Sequence, residues 1–218
     1  MEKIVYLDNN ATTKVDEKVV EKMLPYFCEE YGNPSSTYTF GGDVQYKIIE
    51  ARETLKDFIG ANRVNEIIFT SCGTESANTA IKGVLTANKT KKHIITTKVE
   101  HACVLTLYKN LETQFGYKVD YLDVNSDGSL DITPLENMVN DQTALVSCMA
   151  ANNETGVIFP YEKLAEIVKT KCSKVTFRGK KSNNYFDERK IFIKSYTYQI
   201  EEPTKVRIKL LGAFKNHQ

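Results

Sequence analysis

Residues 66–78 read Glu66-Ile67-Ile68-Phe69-Thr70-Ser71-Cys72-Gly73-Thr74-Glu75-Ser76-Ala77-Asn78. A short apolar run of β character gives way to a small polar turn, and Ala77, Ala80, Ile81, Val84 and Leu85 then recur at helical spacing. The stretch predicts a buried strand, a turn and a helix. The same alternation repeats outward from it. Strands are predicted at 93–97, 117–122 and 144–149, and helices at 104–115, 132–140 and 164–168. Upstream, Val19, Val20, Met23, Leu24 and Phe27 lie on one helical face behind an Asp16 cap. Val44, Ile48, Ala51, Leu55 and Phe58 mark a second helix ended by Gly60. Strands separated by helices of this length predict an α/β fold with a helix-covered, mostly parallel sheet.

Composition narrows the function classes. The 218 residues are 41% apolar with a net charge of +1, which gives no reason to expect nucleic acid or an anionic membrane as a partner. No run approaches the length of a membrane span, and Met1 to Asp8 lacks a signal-peptide core. Five widely spaced cysteines without a CxxC argue against a zinc site or a disulfide framework, so a reducing cytoplasm is expected. Charge is unevenly distributed. Residues 1–171 hold 18 Lys and Arg against 24 Asp and Glu, a net of −6, whereas residues 172–218 hold 11 against 4, a net of +7. The domain boundary is therefore placed after residue 171, with a basic tail of irregular or β-like character at 172–218.

A parallel sheet binds ligands beyond the carboxyl ends of its strands, and three such loops carry unusual polar residues. At Ser71–Asn78, backbone N–H groups at a helix start, with hydroxyls beside them, suit a phosphate dianion. An ordinary capped helix is the plain alternative. In Lys98-Val99-Glu100-His101-Ala102, His101 follows a strand end, where an imidazole can stack on a flat ring and exchange protons; a loop histidine or helix cap is the alternative. Asn152-Asn153-Glu154-Thr155-Gly156 places two amides and a carboxylate after a third strand, with a simple turn as the alternative. Asp123 to Gly128 opens like a calcium loop, but Pro134 stands where the bidentate Glu belongs. An Asp-Gly turn is expected there, and no metal site.

Together with Tyr6-Leu7-Asp8-Asn9-Asn10-Ala11-Thr12-Thr13 and Gly32-Asn33-Pro34-Ser35-Ser36, these stretches resemble the amino-terminal half of cysteine desulfurases of the NifS/IscS type. Those are class V aminotransferase-fold enzymes that use pyridoxal 5′-phosphate. The resemblance implies that residues 1–171 are the first half of a fold type I transferase domain. It implies that Gly73 and Thr74 hold the cofactor phosphate and that His101 stacks over the ring and serves in proton transfer. Asn153 would bond near the phenolic oxygen, and Asn9–Thr13 and Gly32–Ser36 would lie near the mouth of the site. In the family an enzyme thiolate takes sulfur from L-cysteine, alanine leaves, and the persulfide passes to an iron–sulfur scaffold or another acceptor. Homodimers are the family's usual state.

After residue 171 the family pattern stops. No Ser-x-His-Lys, the segment whose Lys forms the Schiff base, occurs anywhere, and the last cysteine is Cys172. The expectation is a truncated desulfurase-like chain, inactive alone, whose residues 172–218 are a frameshifted or fused remnant; a genuine divergent C-terminus is the alternative. Cys28, Cys103 and Cys148 are expected to be small packing residues. The competing readings are a non-catalytic partner of a full-length relative, and another class V enzyme such as a selenocysteine lyase.

Overall fold

Asp16 starts the first helix as its spacing predicts. Its Oδ1 accepts the Lys18 amide at 2.9 Å ahead of α1 (Glu17–Met23), and Pro25 opens α2 (Pro25–Cys28). These belong to a computed structural model that describes residues 5–9, 11–171, 194–196 and 210–213. The chain divides into two units, Met1–Ile68 and Phe69–Gln218. In the first unit the apolar face of α1 and α2 is not buried: Val20, Met23, Leu24 and Phe27 are 42–68% exposed. The long helix α3 (Thr39–Ile59) ends at Gly60, whose φ of +63° suits glycine, with Ala61 N–H donating to Lys56 O at 2.8 Å. Gly32 and Gly41 allow the Gly32–Ser36 turn to lie on the start of α3, because a Cβ on either would collide with the backbone of Phe40 or Asn33.

The strand expected at 66–70 does not form. Val64–Glu66 is a 3-10 turn, held as Glu66 accepts from the Asn62 amide and from Arg63 Nε, and Ile68 is 69% exposed. Among the described residues, 67–70 pair with no strand.

That second unit opens with α4 (Gly73–Ala87), followed by β1 (His93–Thr97), α5 (Ala102–Phe115), β2 (Lys118–Leu122), α6 (Leu135–Met138), β3 (Thr143–Val146) and α7 (Tyr161–Lys171). Strand order is β2-β1-β3, all parallel, with Ile94 opposite both Val119 and Leu145. Period-2 alternation sends Ile94 and Ile95 to opposite faces. Ile94 packs with Ile81, Val84, Val104 and Tyr108 of α4 and α5, and Ile95 packs with Leu135, Phe159, Leu164 and Val168. Both isoleucines are fully buried, each a contribution of roughly 1.5–3 kcal/mol. The helix-covered parallel sheet is as expected.

Two elements are shorter than their patterns. Helix α6 covers four residues rather than 132–140, because Pro134 fixes its start and Val139 turns extended at ψ 123°. Strand β3 stops before Met149, whose amide donates to a side chain instead of to a neighbouring strand. The Asp-Gly turn forms after β2: Gly128 sits at φ +81° and Asp127 Oδ1 accepts the Ser129 amide at 2.9 Å. Beyond α7, β4 (Lys194–Tyr196) pairs antiparallel with β5 (Leu210–Ala213). The rest of the basic tail expected at 172–218 lies outside the described residues. Among the described residues no helix is long and apolar enough to cross a membrane.

Candidate cofactor site

Three loops meet at the carboxyl rim of β1 and β3, and side chains stitch them together. The first precedes α4. The first intrahelical bond there runs from Ser76 N–H to Cys72 O at 3.1 Å, so the amides of Gly73, Thr74 and Glu75 lead the helix. Their positive end shows in the adjacent thiol. Donation from the Glu75 amide, and then from the Ser71 hydroxyl, holds the exposed Cys72 thiol below its ordinary pKa. Ser71 caps nothing by itself. Its hydroxyl and amide both donate to Glu75 Oε2, at 2.7 and 2.6 Å, while the hydroxyls of Thr70 and Ser76 share a short contact. The turn is thus tied internally, with the Ser71 amide held by Glu75 and the Glu75 amide by the Cys72 thiol.

The second loop follows β1. His101 is the N-cap of α5, and its Nδ1 accepts the Cys103 amide at 3.1 Å. That bond places a neutral imidazole's proton on Nε2 and fixes the ring, which stays exposed. The cap reading and the site reading of His101 are therefore compatible. Cys103 touches the first loop as well, since the Thr74 hydroxyl bonds to its thiol; burial nevertheless raises that thiol's pKa.

The third loop follows β3. Asn152 organises it: Oδ1 accepts the amides of Glu154 and Thr155 at 3.0 and 2.9 Å, and Nδ2 donates to Val99 O at 3.2 Å. Glu100 closes the same seam from the other side, accepting the Met149 amide at 2.6 Å. Asn153 is left in the turn, exposed.

Gly73, Thr74, His101 and Asn153 are therefore carried by loops bonded in series, from Thr74 to Cys103, from Cys103 to His101, and from the Val99–Glu100 pair to Met149 and Asn152. Asn9–Thr13 and Gly32–Ser36 lie in the first unit, Met1–Ile68. Two residues of structural weight carry no role in the sequence reading. Asn152 looked like one of a pair of amides, and only its side-chain bonds separate it from Asn153. Glu100 was part of a motif, with nothing to signal that it is buried. The packing expectation holds for Cys148, which is buried, but not for Cys28, which is exposed.

The residues present fit a phosphorylated aromatic cofactor. A helix start that acidifies a neighbouring thiol favours an anion, and an exposed imidazole with a fixed ring offers a stacking face.

The profile of the aminotransferase class V family matches residues 5–177. A cysteine desulfurase of Nostoc sp. is 54% identical over 166 residues, 76% of this chain and 41% of that protein. The cysteine desulfurase NifS of Azotobacter vinelandii is 48% identical over 163 residues, 75% of this chain and 40% of the relative. Among solved structures, a NifS-like protein superposes with a TM-score of 0.77 at 40% identity, covering 90% of this chain and 50% of that one. A structure described as SspA in complex with cysteine gives 0.71 at 33% identity, covering 76% and 47%. The chain spans about two-fifths of the length of the curated relatives it matches.

Proposed function

The chain belongs to the aminotransferase class V family, and from that premise we propose that its sheet rim binds pyridoxal 5′-phosphate as in a cysteine desulfurase, without completing turnover by itself. The observation that carries the reading is the bonded series of three rim loops, which gathers an anion-favouring helix start, a fixed imidazole and an exposed amide on one sheet edge. Relatives named cysteine desulfurase, and a structural neighbour described with cysteine, support L-cysteine as the substrate class and sulfur transfer as the chemistry.

When bound, the cofactor supplies an electron sink for bonds to the substrate's α-carbon. The chain's own residues bind and orient. Amides of Gly73 and Thr74 would donate to the phosphate, and the Thr74 hydroxyl would turn to it from Cys103. His101 covers one ring face, and its Nε2–H is a proton donor toward the substrate side. Asn153 donates to the ring's phenolic oxygen. The fixed tautomer of His101 matters here, because Nδ1 is already an acceptor for Cys103.

Turnover needs two further groups, a lysine that anchors the cofactor and a thiolate that accepts sulfur. No Ser-x-His-Lys occurs in these 218 residues and no cysteine follows Cys172. This half-site therefore works only with those groups supplied from outside these residues, and delivery of sulfur toward iron–sulfur assembly depends on that complement. A cytoplasmic setting keeps Cys72 reduced.

Pyridoxine 5′-phosphate lacks the aldehyde and so reports the phosphate and ring contacts alone. Calorimetric titration of the full chain is expected to give one site, with unphosphorylated pyridoxine at least about tenfold weaker. Equal affinity for the two, or no binding of either, contradicts the cofactor reading. Alanine released from cysteine by the chain plus pyridoxal 5′-phosphate contradicts the absence of turnover.

A further inference from the structure

Glu100 is buried, 9% exposed, and the cofactor reading gives it no task. Its carboxylate accepts the Met149 amide at 2.6 Å, and the adjoining His101 amide also favours its charged form. The first donor lies beyond β3, in the loop that carries Asn152 and Asn153. The second is the residue whose imidazole faces the proposed ring. We propose that Glu100 is a positioning residue of this site, whose carboxylate clasps both amides at once and so fixes the His101 ring relative to the Asn152–Asn153 turn. This rests on the cofactor reading above.

A simpler structural role predicts a different side chain. Burying a carboxylate without a cation is costly, and a glutamine would hold one amide at less expense to folding. The groups facing Glu100 are Cys103 and Tyr108 of α5, Cys148 after β3, and the adjoining His101. Among the described residues no lysine or arginine pairs with it. What glutamate offers, and glutamine does not, is two acceptor oxygens for two N–H donors.

The clasp depends on ionisation. Burial pushes the carboxyl up to about 7, against the opposing pull of the Met149 and His101 amides. Above that value both oxygens accept. Below it one becomes a hydroxyl, which faces an N–H donor and must release it. The rim is therefore fixed in mildly alkaline solution and loosened in mildly acidic solution.

Two measurements on the full chain test this. The Met149 and His101 amide resonances of the unsubstituted chain are expected to titrate together with a midpoint near 7 and to stay flat in Glu100→Gln. Pyridoxine 5′-phosphate is expected to bind the unsubstituted chain about fivefold more tightly than Glu100→Gln at pH 8, the loss of about one hydrogen bond, and within about twofold of it at pH 6. The ligand's own phosphate titration is common to both proteins and cancels in the ratio. Amides that do not titrate together, or a ratio that does not change with pH, overturn the proposal. Failure of the cofactor reading is distinguishable: the ligand then binds neither protein at any pH while the paired amide titration persists, which removes the role at the site and leaves the clasp as structure alone.

Discussion

The two ends of the parallel strands treat polar groups in opposite ways. At the amino end, His93 is 3% exposed and fully engaged: Nε2 lies 3.0 Å from Asp120 Oδ2, and Nδ1 lies 2.9 Å from the Thr143 hydroxyl and 3.3 Å from Asn140 Nδ2. Lys118 Nζ adds a bond of 2.9 Å to the same Asp120 oxygen, and Asn140 N–H donates to Thr143 Oγ1. Both ring nitrogens of His93 have their partners inside the cluster. At the carboxyl end, Glu100 and Asn152 use their bonds to hold backbone in place, while His101 and Asn153 stay exposed. A histidine closed into a network is a lock between strands, and a histidine held by one nitrogen with its face open is available to a ligand. Residue type alone does not separate the two; the count of satisfied partners does.

The contrast can be broken in order of expected effect. Thr74→Asp sets a carboxylate at the proposed phosphate position while remaining favourable to a helix start. It is expected to weaken pyridoxine 5′-phosphate binding by about 100-fold or more, with the melting temperature unchanged or slightly raised. Loss of fold with retained affinity would reverse the assignment of that loop.

Next in size is the pH dependence of stability at Glu100. Its folded pKa of about 7 lies above the ordinary value of 4.5. The folded state therefore holds the proton more tightly, and stability declines as pH rises from about 4.5 to 7 and then levels off. The decline is at most about 3 kcal/mol. Urea titrations of Glu100→Gln are expected to show a flatter profile over that window, and an unchanged slope would mean that the carboxyl is not buried as described.

Asp120→Ala acts at the other end. It leaves the His93 Nε2–H without its acceptor and is expected to lower stability by about 1–3 kcal/mol while leaving ligand affinity unchanged. Burial pushes the Asp120 carboxyl up, but the bonds from Lys118 and His93 outweigh it and hold it below the ordinary value. Its contribution is thus present above the usual aspartate range and lost as pH falls through the folded pKa. A change in affinity would show that the two ends are coupled.

The smallest effect concerns the thiols. Cys72, exposed and acidified, is expected to react with iodoacetamide several-fold faster than Cys148, which is buried and pushed up. Bound pyridoxine 5′-phosphate should slow Cys72 alone.

Much of the fold was legible because the alternation of helical and strand periods is local. Asp16 and Gly60 mark helix ends as expected, the first through its side-chain oxygen and the second through the left-handed backbone a glycine permits. Residues 66–70 misled because a β-rich run shows propensity and not partners. The position of His101 at a helix start after β1 was legible from the order of elements, whereas the Ser71–Gly73 turn follows no strand. The work of Glu100 and Asn152 was not, since it consists of bonds to backbone about fifty residues away in sequence, which no spacing rule encodes.

Mapping amide perturbations as pyridoxine 5′-phosphate is added to the full chain tests the central claim most directly. The account predicts shifts at Gly73, Thr74, His101 and Asn153, with His93, Asp120 and Thr143 unmoved. Shifts concentrated around His93, or spread evenly over the sheet, would contradict it.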